Sequence, residues 1–597
     1  MKRRPPQRPA PLRTILPAVL FVVVAVATYW NSLGAPFVWD DDPAIVTNPS
    51  IRGSLADSLS PPLETPVAGR PIVNASFAIN YGIGALDTTG YHVWNLAVHI
   101  GSALLLFGIV RRTLSSRKVF RDAVFGDAVA LVAALIWMVH PLLSETVDYV
   151  TQRSESMMGL FFLLTLYAAI RAREPRRRLQ WELISIASCA LGMATKESMV
   201  TAPVAVVLYD LVFEFDSARD ALASRRFLYA GLAASWLELG AIMWRWPRST
   251  VGGTAVGPWA YLLNQAQMIT RYLALTLWPQ SLVVDYGVPQ MLAIRDVIGE
   301  ATLIVALCAA TAFVLRGWPA VGFLGVMFFL TLAPTSSIVP ITTEVGAERR
   351  MYLPLAALVV LIVTLAGVFV ERARRRSPVR TRAFVGAAIA ASVVVIAALA
   401  VRTVYRNREY ETQISLWESV VARRPQGRAR FALANQFMEA GRHDEAIAQL
   451  REAVADFPDA RAGLGTELLI NGEFKEGVAV LEAFVQANPS APNRVPARPL
   501  IATGYRGLAE RSVQQQQFVQ AAEQARKSIQ FDPQNADAHN VLGAALASQG
   551  RFDQAVAEFQ EALRINPQHQ SARNNLARAT AILRSGSAGL SAPRTRP

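Results

Sequence analysis

Cysteine is almost missing from this chain of 597 residues: only Cys189 and Cys308 occur, each inside an apolar run. Neither a disulfide framework nor a cysteine zinc site is available. Charge is also scarce, at 17% of residues against 52% hydrophobic, and the mean hydropathy is +0.28. That balance excludes a single water-soluble domain. No Gly-rich phosphate loop, dinucleotide fingerprint or serine-centred nucleophile elbow appears, which disfavours a soluble nucleotide-sugar enzyme. Acidic residues are outnumbered, 45 against 59 basic ones, for a net charge of +14 and a pI near 10.1. Such an excess suits nucleic acid only if it gathers on one surface. The positions of the charges decide otherwise.

A helix crossing the roughly 30 Å of bilayer hydrocarbon needs about 20 mostly apolar residues. About eleven such runs precede residue 402: 15–33, 92–110, 124–140, 157–171, 180–195, 198–213, 227–246, 300–316, 318–338, 353–370 and 383–401. Basic residues collect between them at Lys2, Arg3, Arg4 and Arg13, at Arg111, Arg112, Arg117 and Lys118, and at Arg171, Arg173, Arg176, Arg177 and Arg178. Further collections are Arg225 with Arg226, and Arg372, Arg374, Arg375, Arg376, Arg380 and Arg382. Short basic loops stay cytoplasmic, so all five collections share one side if the N-terminus is inside. The parity requires that Trp259 to Trp278 does not cross; the stretch is read as re-entrant or interfacial, anchored by Trp259, Tyr261, Tyr272 and Trp278. The net charge is therefore largely a topology signal. The first run is longer than a signal-peptide core and lacks a good cleavage site at Asn31-Ser32-Leu33-Gly34, so it reads as an anchor.

After Val401 the composition turns polar and alanine-rich, with a recurring unit. Gly441-Arg442-His443-Asp444-Glu445-Ala446 leads to Asp456-Phe457-Pro458, and Gly472-Glu473-Phe474 leads to Ala487-Asn488-Pro489. Phe518-Val519-Gln520-Ala521-Ala522 leads to Phe531-Asp532-Pro533, and Gly550-Arg551-Phe552 leads to Ile565-Asn566-Pro567. The closing prolines lie 31, 44 and 34 residues apart. These units resemble tetratricopeptide repeats, each a pair of antiparallel helices with glycine at the turn and proline at the end. The long middle spacing implies an insertion near Asn493 to Pro499. Stacked hairpins form a solenoid whose concave side suits an extended peptide. The chain thus divides into a basic cytoplasmic N-terminus (1–14), a membrane domain (15–404) with an external loop (34–91), a repeat domain (405–584) outside the cytoplasm, and a disordered tail (585–597). The fold class is all-α: a polytopic membrane bundle of about eleven helices followed by an α-solenoid.

The external loop holds Phe37-Val38-Trp39-Asp40-Asp41-Asp42-Pro43. Three adjacent carboxylates repel one another, so at least one needs a raised pKa or a cationic partner. The glycine and distal glutamate of a calcium loop are missing. Further along come Arg70-Pro71, Tyr91-His92 with Asn95 and His99, His140-Pro141 with Glu145 and Arg153, Lys196-Glu197, and Glu348-Arg349-Arg350 with Tyr352 and Pro354. Independently of any name, an acceptor hydroxyl needs a carboxylate to take its proton, and a departing phosphate needs cations. Asp40 or Asp41 suits the first task. Lys196, Arg349 and Arg350, at external helix ends, suit the second, and the two arginines stand on the side that the charge rule leaves free of them. Glu145 reads as a second acid that orients the acceptor or pairs with Arg153, and Lys196 with Glu197 reads equally as an interfacial ion pair. His92 and His99 share a helical face with Asn95, where packing or donation to the substrate outweighs metal ligation.

In order and in side, these motifs resemble the membrane glycosyltransferases of the C superfamily, and in particular the transmembrane and tetratricopeptide-repeat O-mannosyltransferases. The resemblance spans about residues 30 to 360 and the repeats. It implies some eleven crossings, a polyprenyl-phosphate-linked sugar as donor, an acceptor hydroxyl activated by the Asp40 and Asp41 pair, and inversion at the sugar. Asp42 departs from the family's pattern. The implied acceptor is protein serine or threonine held through the repeats, with Arg70, His92, Glu145 and Arg153 beside the acceptor, no firm cofactor, the need for a divalent metal left open, and the bacterial inner membrane as the location. A lipid or polysaccharide transferase, an oligosaccharide ligase and a non-catalytic membrane scaffold remain alternatives.

Overall fold

The computed structural model describes residues 12–116, 119–120, 122–247, 256–337, 339–376, 381–487 and 494–590. Lys2, Arg3, Arg4, Arg117, Lys118 and Arg380 of the basic collections therefore lie outside the described residues. Among the described residues the fold is helical and has no strand. The chain forms two compact units, Met1–Arg423 and Arg424–Pro597.

Counting helices of ten residues or more, the first unit contains α1 (Leu12–Tyr29), α2 (Pro71–Gly84), α3 (Thr88–Ser116), α4 (Ala123–Met138), α5 (Arg153–Arg171), α6 (Arg178–Met193) and α7 (Ala202–Phe213). It continues with α8 (Ala218–Arg245), α9 (Pro258–Leu277), α10 (Ile298–Gly317), α11 (Pro319–Leu332), α12 (Tyr352–Arg376), α13 (Thr381–Asn407) and α14 (Gln413–Arg423). Among the described residues six helices are long and apolar enough to cross a membrane alone, or up to seven if α4 and Pro141–Asp148, bent by 54°, form one span. Other apolar runs give shorter helices or helices with polar ends, such as α5, whose first turn buries Arg153 and Glu155. Within the stretch Trp259–Trp278, read from the sequence as re-entrant or interfacial, the chain forms one unbroken helix, α9, of 20 residues. It buries Tyr261, Gln265, Met268 and Tyr272 and exposes Trp259 and Trp278, the two-faced pattern of an interfacial helix.

Polar groups buried between helices fix the packing of the membrane unit. His99 of α3 meets the Tyr352 hydroxyl at 3.0 Å and the Met138 carbonyl at 2.9 Å, while Trp137 donates to the Tyr352 carbonyl. Gly159 lets α5 approach α12 closely, since a Cβ there would lie 2.5 Å from the Tyr352 ring. The first and last long helices are clasped together. Asn407 donates to the Thr28 carbonyl (3.0 Å) and to Asn31 (3.1 Å), and Asn31 donates to the Val404 carbonyl. The unit reaches beyond residue 404, where the composition changes, because α14 buries Leu416, Trp417 and Val420 and its Arg423 binds the Leu282 carbonyl (2.7 Å) and Glu409 (2.6 Å).

The second unit contains α15 (Gly427–Glu439), α16 (His443–Ala453), α17 (Ala460–Ile470), α18 (Phe474–Ala487), α19 (Arg494–Gln514), α20 (Phe518–Phe531), α21 (Ala536–Ser548), α22 (Phe552–Ile565) and α23 (Gln570–Leu590). Gly441, Gly472 and Gly550 take left-handed φ values of 71°, 80° and 78° at the turns between paired helices, and Gln516 takes 60° where the third unit lacks the glycine. From Arg494 onward the inserted residues lengthen α19, which has 21 residues and contains Pro499. α23 continues to Leu590, past Ser585 where a disordered tail was expected, and 591–597 lie outside the described residues.

Arg153, at the start of α5, is a fully buried charge. It donates to Asn95 (2.7 Å), Asn80 (2.7 Å), Ser76 (3.1 Å) and the Tyr91 carbonyl (3.0 Å), and lies 4.6 Å from the Phe77 ring centroid. Neutral acceptors thus replace water around the guanidinium and tie α2 and α3 to α5. Asn95→Leu leaves its Nε–H without an acceptor and should cost about 2–3 kcal/mol of stability, whereas Val93→Leu on the exposed face should change it by less than about 0.5 kcal/mol. Thermal melting of the two variants in detergent measures the difference.

Candidate active site

The three carboxylates of the first loop face three different environments. The chain turns at Trp39, which takes a left-handed φ of 45°. Such a backbone costs a bulky residue roughly 1–2 kcal/mol. Beyond the turn the side chain of Asp41 is fully buried. It accepts from the Val38 amide at 2.9 Å, from the Thr151 amide at 2.7 Å and from the Thr151 hydroxyl. Burial pushes its carboxyl up to about 7 against the pull of those donors. Asp42 is exposed in the first turn of Asp42–Val46. Asp40 is half-buried, and its amide donates to the Tyr149 hydroxyl at 2.9 Å. Burial raises the Asp40 carboxyl above its ordinary value, although the charges of Arg349 and Arg70 and the Tyr149 hydroxyl pull it down.

The opposite wall comes from the turn Glu348–Met351 that starts α12. Arg349 lies between two acids: Nη1 is 2.5 Å from Glu145, whose other oxygen accepts the Arg349 amide at 2.9 Å, and Nη2 meets Glu344. Its side chain remains 14% exposed. Arg350 points inward, 2% exposed, with Nη2 3.0 Å from Glu344 and Nη1 2.9 Å from the Thr335 carbonyl. Burial raises the Glu344 carboxyl, but Arg349 and Arg350 outweigh it and hold the group at about 2.

Lys196 is almost buried and bonds Glu155, one turn into α5. Burial draws its ammonium below the ordinary range, and Arg70 and Arg349 add to that pull. Arg70, before α2, lies 3.8 Å from Glu197 and 3.3 Å from the Ser154 hydroxyl. Two sequence-based pairings are therefore corrected. Glu145 pairs with Arg349 rather than Arg153, because Arg153 is turned into the neutral pocket between α2 and α3. Lys196 pairs with Glu155 rather than its neighbour Glu197, whose side chain turns to Arg70.

The structure gathers Asp40, Arg70, Lys196, Arg349 and Glu145 into one electrostatic neighbourhood and sets Arg153 apart from it. His92 meets the Ala35 carbonyl at 3.0 Å and fastens the start of the external loop to α3. His140 accepts from the Leu142 amide and donates to the Thr276 carbonyl at 3.1 Å, joining α4 to α9. Among the described residues no three His, Cys, Asp or Glu side chains converge to hold a metal. Residues that the motifs did not flag are Tyr149 and Thr151, which lie inside the Glu145–Arg153 segment, and Glu155 and Glu344. A polar segment following an apolar run was the available signal for the first three. Glu344 had none.

The membrane unit holds an apolar cavity of about 80 Å³ lined by Leu106, Phe162, Leu166, Phe323, Met327 and Leu353 among others. Leu353 is four residues after Arg349, one turn further along the chain.

Residues 93–244 match the family described as dolichyl-phosphate-mannose-protein mannosyltransferase, and residues 399–461, 431–492 and 536–569 match tetratricopeptide-repeat families. The chain is 26% identical to the protein O-mannosyl-transferase TMTC4 of Mus musculus over 72% of this chain and 65% of that protein. It is 24% identical to the protein O-mannosyl-transferase Tmtc3 of Drosophila melanogaster over 82% of this chain and 60% of that protein. The chain thus spans less than two thirds of either relative. Among solved structures, YrrB, a TPR protein with an unusual peptide-binding site, is 21% identical over 27% of this chain and 80% of that one, with a TM-score of 0.22. The resemblance carried by the motifs is met in both parts of the chain, which is a multi-pass membrane protein with a tetratricopeptide tail.

Asp41 predicts a pH dependence of stability. Its folded pKa, about 7, lies above the ordinary value of 3.8, so the folded protein holds a proton that the unfolded chain releases between them. The stabilisation is complete below about pH 4 and is lost as pH rises through 7. Asp41→Asn should flatten the fall in melting temperature across that window, and it should lower stability because the amide presents N–H groups to donors. Asp40→Asn should leave melting nearly unchanged. A wild-type slope retained in Asp41→Asn would contradict the assignment.

Proposed function

We propose that this protein transfers a mannose-like sugar from a polyprenyl-phosphate carrier to a serine or threonine hydroxyl of a protein, on the extracytoplasmic face of a bacterial inner membrane. The observation that carries the reading is the half-buried Asp40 carboxylate. Among the described residues it has no ion pair of its own, yet it lies within electrostatic reach of Arg349 and Arg70. The mannosyltransferase match over residues 93–244 and the O-mannosyl-transferase relatives support the reaction class.

Asp40 takes the acceptor proton while the acceptor oxygen bonds the sugar's anomeric carbon. The bond from that carbon to the phosphate oxygen breaks, its electron pair leaves with the lipid phosphate, and the centre inverts. Asp41 is engaged by three donors and serves to aim the loop. Arg349 and Lys196 receive the developing phosphate charge, with Arg70 beside them. Arg350 holds Glu344 and thereby the orientation of Arg349. Glu145 fixes Arg349 from the other side. The apolar cavity suits the first isoprene units of the carrier. The repeats select the acceptor, and their attachment raises its concentration at the membrane.

Asp40→Asn should slow transfer about 10²- to 10⁴-fold with folding intact. Arg349→Ala should slow it with weaker donor binding, and Arg349→Lys should recover part of the loss. Initial rates against polyprenyl-phosphate mannose and a threonine peptide measure both, and full activity in Asp40→Asn would remove the assignment.

The position of α14 sets where the repeats can be removed. Truncation after Arg423 should keep the membrane unit folded and slow transfer to full-length acceptors far more than to a short peptide. Truncation after Arg406 removes Trp417 and Arg423 and should lower melting as well. Equal losses on both acceptors after the Arg423 cut would argue against acceptor selection by the repeats.

A further inference from the structure

The cations that await the donor phosphate already have an anion among them, and it comes from the chain itself. Glu344, in the loop between α11 and α12, gives one carboxylate oxygen to Arg349 and the other to Nη2 of Arg350 at 3.0 Å. Lys196 lies within electrostatic reach of the same carboxylate, and so does Asp40. Carboxylate and phosphate oxygens accept from guanidinium groups in the same manner, so two oxygens on two arginines is also how a phosphate would sit.

The two acids on Arg349 are held differently. Glu145 has a side chain 0% exposed, and its second oxygen accepts the Arg349 amide at 2.9 Å, which ties it to the backbone of the turn. Glu344 keeps 21% of its side chain exposed, and among the described residues its carboxylate bonds the two guanidinium groups alone. The backbone that follows it is pinned. The Val345 amide donates to the Gly287 carbonyl at 2.8 Å, Gln265 donates to the Val345 carbonyl at 3.0 Å, and the Ala347 amide donates to the Tyr272 hydroxyl at 2.9 Å. The Glu344 side chain is therefore the movable one, free to turn outward while the loop stays in place.

Resting on the transfer reading, we propose that Glu344 takes the seat of the donor phosphate and yields it when the donor binds, a built-in competitor that selects lipid-linked phosphate against soluble phosphate. The exchange conserves charge: a polyprenyl-phosphate sugar is a phosphodiester with one negative charge, as the carboxylate has. The arginines thus stay neutralised throughout, where leaving them bare in a poorly solvated place would be costly. Free phosphate has only its oxygens with which to displace the carboxylate, whereas a lipid-borne phosphate adds the burial of its chain. Glu145 keeps Arg349 oriented during the exchange, and Arg350 passes from Glu344 to the phosphate.

The test uses the full chain in detergent, with inorganic phosphate and polyprenyl phosphate as probes, read by melting and by equilibrium binding. A competitor that holds its seat about nine-tenths of the time weakens apparent affinity about tenfold. Glu344→Gln should therefore bind polyprenyl phosphate about tenfold more tightly than the wild type. It should melt lower in phosphate-free buffer and be restored by millimolar inorganic phosphate, which leaves wild-type melting little changed. Adding Arg349→Ala to Glu344→Gln should abolish both gains. Glu344→Asp, with a shorter reach, should show a smaller gain.

Weaker or unchanged binding of polyprenyl phosphate in Glu344→Gln, or in Glu344→Asp where the amide variant does not fold, would overturn the proposal and leave Glu344 as a fixed support of the arginines. A gain confined to inorganic phosphate would overturn it as well. Tighter binding of polyprenyl phosphate by Glu344→Gln, in a protein that transfers no mannose even as wild type, would uphold the displacement and refute the transfer reading.

Discussion

A carboxylate removed from water must be met by donors, and Asp41 is met by the Val38 amide and by the amide and hydroxyl of Thr151. Val38 is local to the loop, whereas Thr151 belongs to a segment 110 residues further on. The same carboxylate therefore closes the turn at Trp39 and docks that turn against the segment that bears Glu145 and Arg153. With Asp41 committed inward and Asp42 outward, Asp40 is the member of the trio left at the boundary between protein and exterior. The hydrogen bond from the Asp40 amide to Tyr149, and that of His92 with Ala35, hold the two sides of the turn in that register.

The charges opposite are arranged by the same principle. Arg349 is held between Glu145 and Glu344, Arg350 lies against Glu344, Lys196 against Glu155 and Arg70 beside Glu197. Each cation is thus oriented by an acid before any ligand arrives. Preorganised dipoles and charges need not rearrange during a reaction, which is where most electrostatic stabilisation of a transition state originates. The acids also make it tolerable to keep several cations together in a poorly solvated place.

The parts legible in the sequence are those governed by short-range periodicity. Apolar runs gave the helices of the membrane unit. Glycine and proline at recurring offsets gave the repeats, apart from the turn where Gln516 replaces glycine. The carboxylate trio was legible as a functional candidate because like charges in succession demand an explanation. The partners were not legible. Glu145 meets Arg349 across 204 residues and Lys196 meets Glu155 across 41, whereas Arg153 and Glu197 are the partners that spacing along the chain offers as alternatives. Proximity along the chain was the available guide, and in a helical bundle opposite charges meet between helices. Tryptophan at 417 was equally opaque, since α14 carries the amphipathic pattern of the repeats that follow it.

The clasp between the first and last long helices has a consequence for biosynthesis. Asn31 and Asn407 can bond only after α13 has been made and inserted, and Arg406, Arg423 and Trp417 reach the first loop's neighbourhood later still. A ribosome delivers Trp39 and Asp40 early and Trp417, whose ring centroid lies 5.1 Å from that of Trp39, near the end of the membrane unit. A chain halted before α14 carries the acid without the wall beside it. Completion of the candidate site thus follows completion of the whole membrane unit, so an interrupted translation product carries the carboxylate trio without the segments that close around it.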